Sequence, residues 1–123
     1  MFQSNHSEGL VQTFFARKPS PLISIKCSPY NYKDKVLLMG DAAHAMVPFY
    51  GQGMNCGFED CFVLENLLDR FGNDNLGYCL SKFTAERVSN CHSIIDLAMY
   101  NYVEMRDLVN RRLFLIRKQF DNF

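Results

Sequence analysis

The sequence lacks an excess of charge of either sign. Its 123 residues include 13 basic and 13 acidic side chains, so the formal net charge is zero when the histidines are neutral. A protein that binds nucleic acid through the phosphate backbone needs a surplus of basic residues. We therefore expect no nucleic-acid partner. The hydrophobic content of 48% and the charged content of 21% are ordinary for a globular domain and argue against intrinsic disorder.

Long apolar runs and metal-ligand spacings are also missing. The longest clean apolar runs, residues 36–39 and 113–116, are far shorter than the roughly 18 residues that span a bilayer. Residues 1–9 contain no apolar core of a signal peptide. The five cysteines are an odd number without a CxxC pair, and the three histidines have no metal-ligand spacing. We expect a soluble chain without a metal, with mostly buried free thiols in a reducing compartment.

Proline is absent after Pro48, and the chain changes character near that point. Before it, an alternation of apolar and polar residues predicts a strand over residues 22–27. The apolar run 35–39 predicts a strand buried on both faces. Residues 10–15 are a weaker strand candidate, and residues 28–34 are rich in turn formers.

From Gly53 onward the apolar residues follow helical spacing. They predict a helix that begins at Gly53 and is ended by Gly72, a second over residues 76–90 and a third from His92 toward the C-terminus. The predicted fold class is therefore α/β, or α+β within this chain, with few strands followed by long helices. The predicted core stripe of the first helix consists of Gly57, Cys61, Leu64, Leu68 and Phe71, widened by Phe58 and Phe62. That of the third helix consists of Ala98, Tyr102, Met105, Val109, Leu113, Ile116 and Phe120.

The stretch from residue 36 to residue 68 carries the chemical information. A predicted strand ends in a sharp Gly-Asp exit, and a helix starts near Gly51 and Gly53, which permit close backbone approach. A helix start offers unpaired backbone N–H groups and the positive end of the helix dipole. It suits a phosphate or a cofactor ring that carries negative charge. Asp41, at the end of the strand, can accept hydrogen bonds from the hydroxyls of a sugar or polyol.

These residues form a motif that resembles a known one. GDAAH at residues 40–44, followed by VPFYGQGMNCGFEDC at residues 47–61, is similar to the second flavin motif of the FAD-dependent aromatic hydroxylases. That motif has the form GDAAH and then PxxGQGxNxGxxD. The runs PLISIKCSPYNYKDKVLLMGDAAHAM and MYNYVEMR further resemble one member of the family, which acts on an aromatic amino acid. The resemblance extends over nearly the whole chain and weakens after Val109.

The resemblance implies an FAD site with a substrate site beside it. Asp41 would bind a hydroxyl of the ribityl chain, and the backbone N–H groups of Met54 and Asn55 would bind the pyrimidine edge of the flavin ring. Asn101 and Glu104 would contact the substrate from a face of the last helix distinct from its core stripe, and Met105 would add apolar contact. The implied cofactor-binding residues are Asp41, Pro48, Gly51, Gly53, Met54 and Asn55. The implied substrate-binding residues are Phe49, Tyr50, Asn101, Glu104 and Met105.

The implied reaction is hydroxylation of an aromatic amino acid with FAD, NADPH and O2. No side chain is implied as catalytic, because the flavin carries the chemistry and the protein supplies positioning, water exclusion and electrostatics. Residues near Phe49 and Tyr50 include no obvious acid or base, which suits an electron-rich aromatic amine. The chain would then divide into strands and flavin loop (1–52), a flavin-facing helix (53–72) and a helical substrate region (76–123).

Two features expected of this family do not occur in the sequence. One is the GxGxxG fingerprint that holds the ADP half of FAD, and the other is the hydrophobic C-terminal segment that attaches animal members to the mitochondrial outer membrane. We therefore expect a piece of a longer enzyme, marginally stable and without useful FAD affinity alone. Two alternatives stay open. One is a non-catalytic piece that binds a membrane or a partner through the basic segment 105–120, and the other is a different GDAAH-type flavin hydroxylase.

Five residues of the motif have ordinary structural interpretations. We expect His44 to pack or hydrogen-bond behind the loop rather than to act in catalysis. Glu59 and Asp60 are expected in the first turn of the helix, where carboxylates complement the dipole. Cys56 and Cys61 are expected to be small packing residues.

Overall fold

The structure is organised around two long helices. The computed structural model describes residues 5–111 together with residues 114 and 116. The mostly helical chain with a small sheet confirms the predicted α+β class. In chain order the elements are α1 (Asn5–Ala16), β1 (Asn31–Tyr32), β2 (Val36–Leu37), α2 (Asp41–His44), α3 (Gly53–Phe71) and α4 (Leu76–Arg106), with 3-10 turns at Pro48–Tyr50, Asn73–Asn75 and Leu108–Asn110.

Helices α3 and α4 form an antiparallel pair. Helix α3 ends where Gly72 adopts a positive φ of 74°, a value that favours glycine, and the Gly72 N–H donates to the Leu68 carbonyl at 2.8 Å. The short connection 72–75 then turns the chain back. The two helices run in opposite directions, because Cys56 contacts Cys91, Asp60 contacts Arg87, and Leu67 contacts Cys79.

The core lies where this helix pair meets the hairpin and the loop before α3. The Tyr30 ring lies 6.4 Å from the Phe83 ring and 5.9 Å from the His44 ring, so it joins the hairpin to both α4 and α2. Burial of these aromatic rings supplies a large part of the apolar stabilisation. The buried cluster consists of Tyr30, Ala43, Cys56, Leu67, Cys79, Phe83 and Cys91.

The segment 22–27 does not form the predicted strand. Two of its backbone N–H groups donate to carbonyls that follow α2, from Ile25 to Ala45 at 2.8 Å and from Cys27 to Ala43 at 3.2 Å. These two bonds do not extend into a ladder with other described residues. The alternating pattern reflects a half-buried extended segment, because Ile25 and Cys27 turn inward while their neighbours are exposed.

Of the other two strand predictions, one is wrong and one is confirmed only in part. Residues 10–15 belong to helix α1. The strand predicted over residues 35–39 is shortened to β2, which pairs antiparallel with β1. Strand β1 lies in the region 28–34, which was predicted as a turn. Val36 is 48% exposed, so this strand is not buried on both faces. A short apolar run does not by itself distinguish a central strand from one arm of a hairpin. The register pairs Asn31 with Leu37 and Tyr32 with Val36.

The extents of the helices agree better with prediction. Helix α3 begins at Gly53 and ends before Gly72, as its spacing and its terminal glycine predicted. The helices predicted over residues 76–90 and from His92 are one continuous helix, α4. No proline or glycine lies near residue 91 to interrupt it, so the backbone hydrogen bonds continue.

The predicted core stripe of α3 is rotated by about one residue. Cys56, Asp60 and Leu67 are the buried residues of this helix. Because Asp60 is charged, a hydrophobic pattern assigns it to the solvent side, and the stripe shifts to its neighbours. Cys61, Phe58 and Phe62 of the predicted stripe are exposed, whereas Leu64, Leu68 and Phe71 pack against the core as predicted.

The predicted stripe of the last helix agrees with the structure only near its start. Ala98 is buried, but Met105 is 59% exposed and helix α4 ends at Arg106. Within the described part of the chain, no helix is both long enough and apolar enough to cross a bilayer. The stripe positions Leu113 and Phe120, and the basic residues Arg112, Arg117 and Lys118, lie outside the described residues.

Truncation of Phe83 tests this core. Phe83 is fully buried, whereas Phe62 on α3 is 64% exposed and serves as the matched control. We expect Phe83→Ala to lower the free energy of unfolding by about 3–5 kcal/mol, and Phe62→Ala to change it by under about 0.5 kcal/mol. Urea unfolding followed by circular dichroism measures both. Equal losses for the two variants would contradict the packing described here.

Candidate functional site

The turn at residues 40–44 presents Asp41 to solvent. Gly40 has a positive φ of 58°, which allows the chain to turn sharply after the hairpin. The N–H groups of Ala43 and His44 both donate to the Gly40 carbonyl at 2.9 Å. Asp41 is therefore the first residue of α2, with its side chain exposed while Ala43 and His44 are buried.

The N-terminus of α3 lies just beyond a second tight turn. Gly51 has a positive φ of 70°, and its N–H donates to the Pro48 carbonyl at 3.1 Å. Helix α3 then begins at Gly53, and the N-cap residue Gln52 makes no side-chain capping bond. The backbone N–H groups of the first turn have no intrahelical acceptors, and they form the positive end of the helix dipole.

One cavity of about 640 Å³ joins the Asp41 turn to the start of α3. Five of the six predicted cofactor residues line it, namely Asp41, Pro48, Gly51, Gly53 and Met54. The remaining wall includes Met46, Val47 and Phe58, so a carboxylate and a helix N-terminus share an apolar space. The cavity can take a flat apolar ring that has hydroxyls on one side and a polar edge on the other.

Asn55 does not line this cavity. Its side chain donates from Nδ2 to Gln52 Oε1 at 2.9 Å, and the two residues face a separate cavity of about 370 Å³ with Glu59 and Asn90. Successive helical residues differ in direction by about 100°, which separates Asn55 from Met54. A contribution of Asn55 to the first cavity is therefore limited to its backbone.

A third cavity, of about 430 Å³, is lined by one of the five predicted substrate residues, whereas Tyr50, Asn101, Glu104 and Met105 do not line it. Phe49 lines it, and the Phe49 ring lies 4.5 Å from the Tyr102 ring with an interplanar angle of 32°. Tyr50 is 43% exposed. Val47 lines both this cavity and the first one, which makes the two neighbours. The other lining residues are Leu22, Ser24, Met99 and Tyr102, which sequence analysis did not assign to a site.

Asn101 connects α4 to the turn that carries Phe49. Its Nδ2 donates to the backbone carbonyl of Phe49. Asn101 lies three residues after the buried Ala98, so it belongs to the packed face of α4 and not to the distinct face that was predicted. Glu104, one turn further, is half-buried, and Met105 is exposed.

A buried ionic cluster lies directly behind the Asp41 turn. Asp60 Oδ2 accepts hydrogen bonds from the Gly40 N–H at 2.9 Å and from His44 Nε2 at 2.6 Å. Asp60 Oδ1 accepts one from Arg87 Nε at 2.7 Å. Asp60, His44 and Arg87 are each 1% exposed or less. We call these three residues the ionic cluster.

The cluster holds Asp60 in its charged form. Burial raises the pKa of this carboxyl, but the hydrogen bonds from Gly40, His44 and Arg87 together outweigh it and keep the pKa below its ordinary value of 3.8. Burial lowers the pKa of Arg87, but hydrogen bonds to Asp60 and Glu59 outweigh it and raise this pKa above its ordinary value, so the guanidinium stays charged. This buried charge pair is tolerated because both Asp60 oxygens accept hydrogen bonds and Arg87 is paired with Asp60 and Glu59, although His44 Nδ1 is buried without a hydrogen-bond partner.

Sequence analysis missed the central role of Asp60. The prediction that Glu59 and Asp60 complement the dipole in the first turn is wrong, since that turn contains no acidic residue. Asp60 does share the helical spacing of the buried Cys56 and Leu67. That spacing is the one signal that could have indicated its burial. The prediction for His44 is confirmed, because it hydrogen-bonds behind the loop.

The thiols differ in burial. Cys56, Cys79 and Cys91 are buried free cysteines, and Cys61 is exposed, so the packing role predicted for Cys61 is wrong. The Cys56 and Cys91 sulfurs lie 3.6 Å apart, and burial with Cys56 as hydrogen-bond partner raises the pKa of Cys91 to about 12.

Three donor atoms in the described part of the chain are close enough to hold a metal ion. They belong to His44, Cys56 and Cys91 and lie within 4.8 Å of one another. Arg87 Nη2 lies 3.3 Å from the Cys56 sulfur. The guanidinium charge at that distance disfavours a cation there.

Comparison with known proteins identifies the class of this chain. Residues 6–96 match the family described as FAD binding domain, and the chain belongs to that family. FAD, the cofactor predicted from the motif, is the cofactor of this family.

Individual relatives carry a more specific name. The chain is 56% identical to kynurenine 3-monooxygenase of Caenorhabditis elegans over 114 residues, which are 93% of this chain and 24% of that protein. It is 57% identical to the enzyme of the same name from Anopheles gambiae, over 93% of this chain and 23% of that protein. It is 51% identical to the Sus scrofa enzyme of the same name, over 93% of this chain and 24% of that protein. The chain thus spans about a quarter of the length of these curated relatives.

Replacement of the buried carboxylate tests the ionic cluster. Asp60→Asn places an amide N–H group against the donors of Gly40, His44 or Arg87, so we expect a loss of about 3–5 kcal/mol in the free energy of unfolding at pH 7. Glu59→Gln removes the exposed partner of Arg87 and is expected to cost under about 1 kcal/mol. Urea unfolding at a series of pH values measures both variants.

The pH profile provides the control. Because the pKa of Asp60 is lowered by folding, its stabilisation is complete above the ordinary value of 3.8 and is lost as the pH falls through the lower value of the folded state. The difference between the unsubstituted chain and Asp60→Asn is therefore expected to shrink below pH 3.8. A difference that is constant from pH 7 to pH 2 would contradict a charged Asp60.

Proposed function

We propose that this chain is the flavin- and substrate-contacting part of an FAD-dependent monooxygenase that converts L-kynurenine to 3-hydroxykynurenine with NADPH and O2. The names of the relatives support the substrate and the reaction, and the family supports the cofactor. The observation that carries the proposal is the single cavity shared by Asp41 and the N-terminus of α3. We also propose a mitochondrial outer-membrane location for the full-length protein, which rests on the resemblance of its motif to the aromatic hydroxylases.

The residues of the first cavity fit a flavin. The exposed Asp41 carboxylate is assigned to a ribityl hydroxyl, and the backbone N–H groups of Met54 and Asn55 to the pyrimidine edge of the ring. Gly51 and Gly53 would let the backbone approach the ring without side-chain obstruction, and Pro48 would pack beside it. Bound FAD supplies the redox and oxygen chemistry, and the helix dipole of α3 stabilises negative charge at the ring edge.

The substrate is assigned to the neighbouring cavity. Phe49 and Tyr50 would contact the aromatic ring, and the shared wall at Val47 would bring that ring next to the flavin. Asn101 Nδ2 donates a hydrogen bond to the Phe49 carbonyl, so we assign Asn101 Oδ1 to the ammonium group of the substrate. Glu104 and Met105 would contact the same part of the substrate from the following turn.

No side chain in this arrangement needs to move a proton on the aromatic ring. The lining residues of the third cavity are apolar or hydroxylic, with no carboxylate, lysine or histidine among them. An aniline nitrogen already activates its ring toward an electrophilic oxygen. The role of the chain is then to orient the ring and to exclude water, which are sources of catalysis that do not depend on acid or base groups.

A chimera tests the proposal, because this chain corresponds to only part of its relatives. In the chimera, the 114 aligned residues of this chain replace the matching segment of the Caenorhabditis elegans relative. We expect the chimera to bind FAD and to oxidise NADPH faster when L-kynurenine is present, with 3-hydroxykynurenine as product. Asp41→Ala is expected to weaken FAD binding about tenfold, because a hydrogen bond to a charged group is lost.

The matched control is Asp69→Ala, which removes an exposed acid on α3 away from the cavity. Titration of FAD fluorescence measures the affinity of each variant. FAD affinity that is equal in Asp41→Ala and Asp69→Ala would refute the cofactor assignment. If Asn101→Ala left the KM for L-kynurenine unchanged, another aromatic substrate of the same enzyme class would be indicated instead.

A further inference from the structure

Asp60 bonds to both ends of the turn that carries Asp41. One oxygen, Oδ2, accepts from the N–H of Gly40, the residue before Asp41, and from the side chain of His44, the last residue of α2. The turn is therefore held at two points by one buried atom. Asp41 lies between these points and faces the first cavity, while Asp60 lies behind the turn and does not line that cavity.

Arg87 extends the same connection to the first turns of α3. Its Nε donates to Asp60 Oδ1 at 2.7 Å, and its Nη2 donates to the Cys56 carbonyl at 3.2 Å. The Cys56 N–H in turn donates to the Gln52 carbonyl at 2.9 Å, at the start of the helix. A continuous set of hydrogen bonds thus joins the Asp41 turn, the body of α4 and the N-terminal turn of α3.

We propose that Asp60, together with His44 and Arg87, is a positioning residue that fixes Asp41 relative to the N-terminus of α3 and thereby sets the affinity for flavin. This inference rests on the proposed function, because it assigns Asp41 and the helix start to two parts of one cofactor. None of the three cluster residues contacts the first cavity, so each acts through the turn or the helix that it holds.

Directional bonds explain why the cluster is ionic. An apolar core of the same volume gives equal or greater stability than a buried ion pair, but it leaves a short loop free to shift. A carboxylate that accepts three donors in fixed directions defines the position of each donor. Binding at two separated points of a ligand is sensitive to shifts of about 1 Å between those points.

A double-mutant cycle on FAD affinity in the chimera tests the proposal. The variants are Asp41→Ala, Asp60→Asn and the combination of both. If Asp60 acts through Asp41, we expect each single substitution to raise the Kd for FAD about tenfold. The Kd of the double variant is then expected not to exceed the higher of the two single-variant values. A residue that only stabilises the fold would lower the folded fraction and leave the affinity of the folded fraction unchanged.

His44 supplies a second pair of variants in case Asp60→Asn does not fold. His44→Leu removes one donor to Asp60, whereas His44→Gln keeps an N–H donor at a similar reach. We expect His44→Leu to weaken FAD binding several-fold and His44→Gln to restore most of it. Glu59→Gln, which affects Arg87 only from the solvent side, is expected to bind FAD as the unsubstituted chimera does.

The possible outcomes separate this inference from the function on which it rests. If Asp41→Ala leaves FAD affinity unchanged, the cofactor assignment fails and the inference fails with it. If Asp41→Ala weakens FAD binding but Asp60→Asn does not, only the positioning role is overturned. The same holds if the fold-change in FAD affinity of the double variant equals the product of the two single fold-changes. Equal FAD affinities in His44→Leu and His44→Gln would likewise overturn it.

Discussion

The structure depends on one buried carboxylate. Asp60 lies on α3 with no solvent exposure, and it is satisfied only because three separate segments bring donors to it. The Gly40 N–H comes from the turn before α2, the imidazole from α2 itself, and the guanidinium from α4. Removal of any one of these donors leaves a charge in a medium where unpaired charge is costly. The cluster therefore couples the packing of α3 on α4 to the shape of the turn at residues 40–44, before α3.

That coupling gives the candidate site its geometry. The exposed face of the turn carries Asp41 and the buried face carries His44, so one short helix has a side open to the cavity and an anchoring side. Two glycines with positive φ, Gly40 and Gly51, allow the chain to change direction at either end of the cavity. Under the proposed function, one cofactor contacts both Asp41 and the N-terminus of α3, so the distance between these two points matters. The ionic cluster is hydrogen-bonded to the backbone next to each of them.

Local signals in the sequence predicted the parts that depend on local chemistry. Gly53 and Gly72 mark the ends of α3, and the GDAAH motif indicates the turn that carries Asp41. The strand over residues 22–27 was predicted wrongly because a strand is defined by its neighbours, and among the described residues this segment has two backbone partners. The Asp60–Arg87 pair joins residues that are 27 positions apart, and this contact exists only once α3 and α4 are packed.

The central claim is that Asp60 is ionised in the folded chain and bonded to the backbone of the turn. The most direct measurement is an NMR titration that follows the side-chain carboxyl carbon of Asp60 and the amide of Gly40 in the same sample. We predict one shared midpoint, below the ordinary carboxyl value of 3.8, because protonation of the acid breaks the bond from that amide. An Asp60 midpoint at or above 3.8, or a Gly40 amide that does not respond to it, would contradict the account.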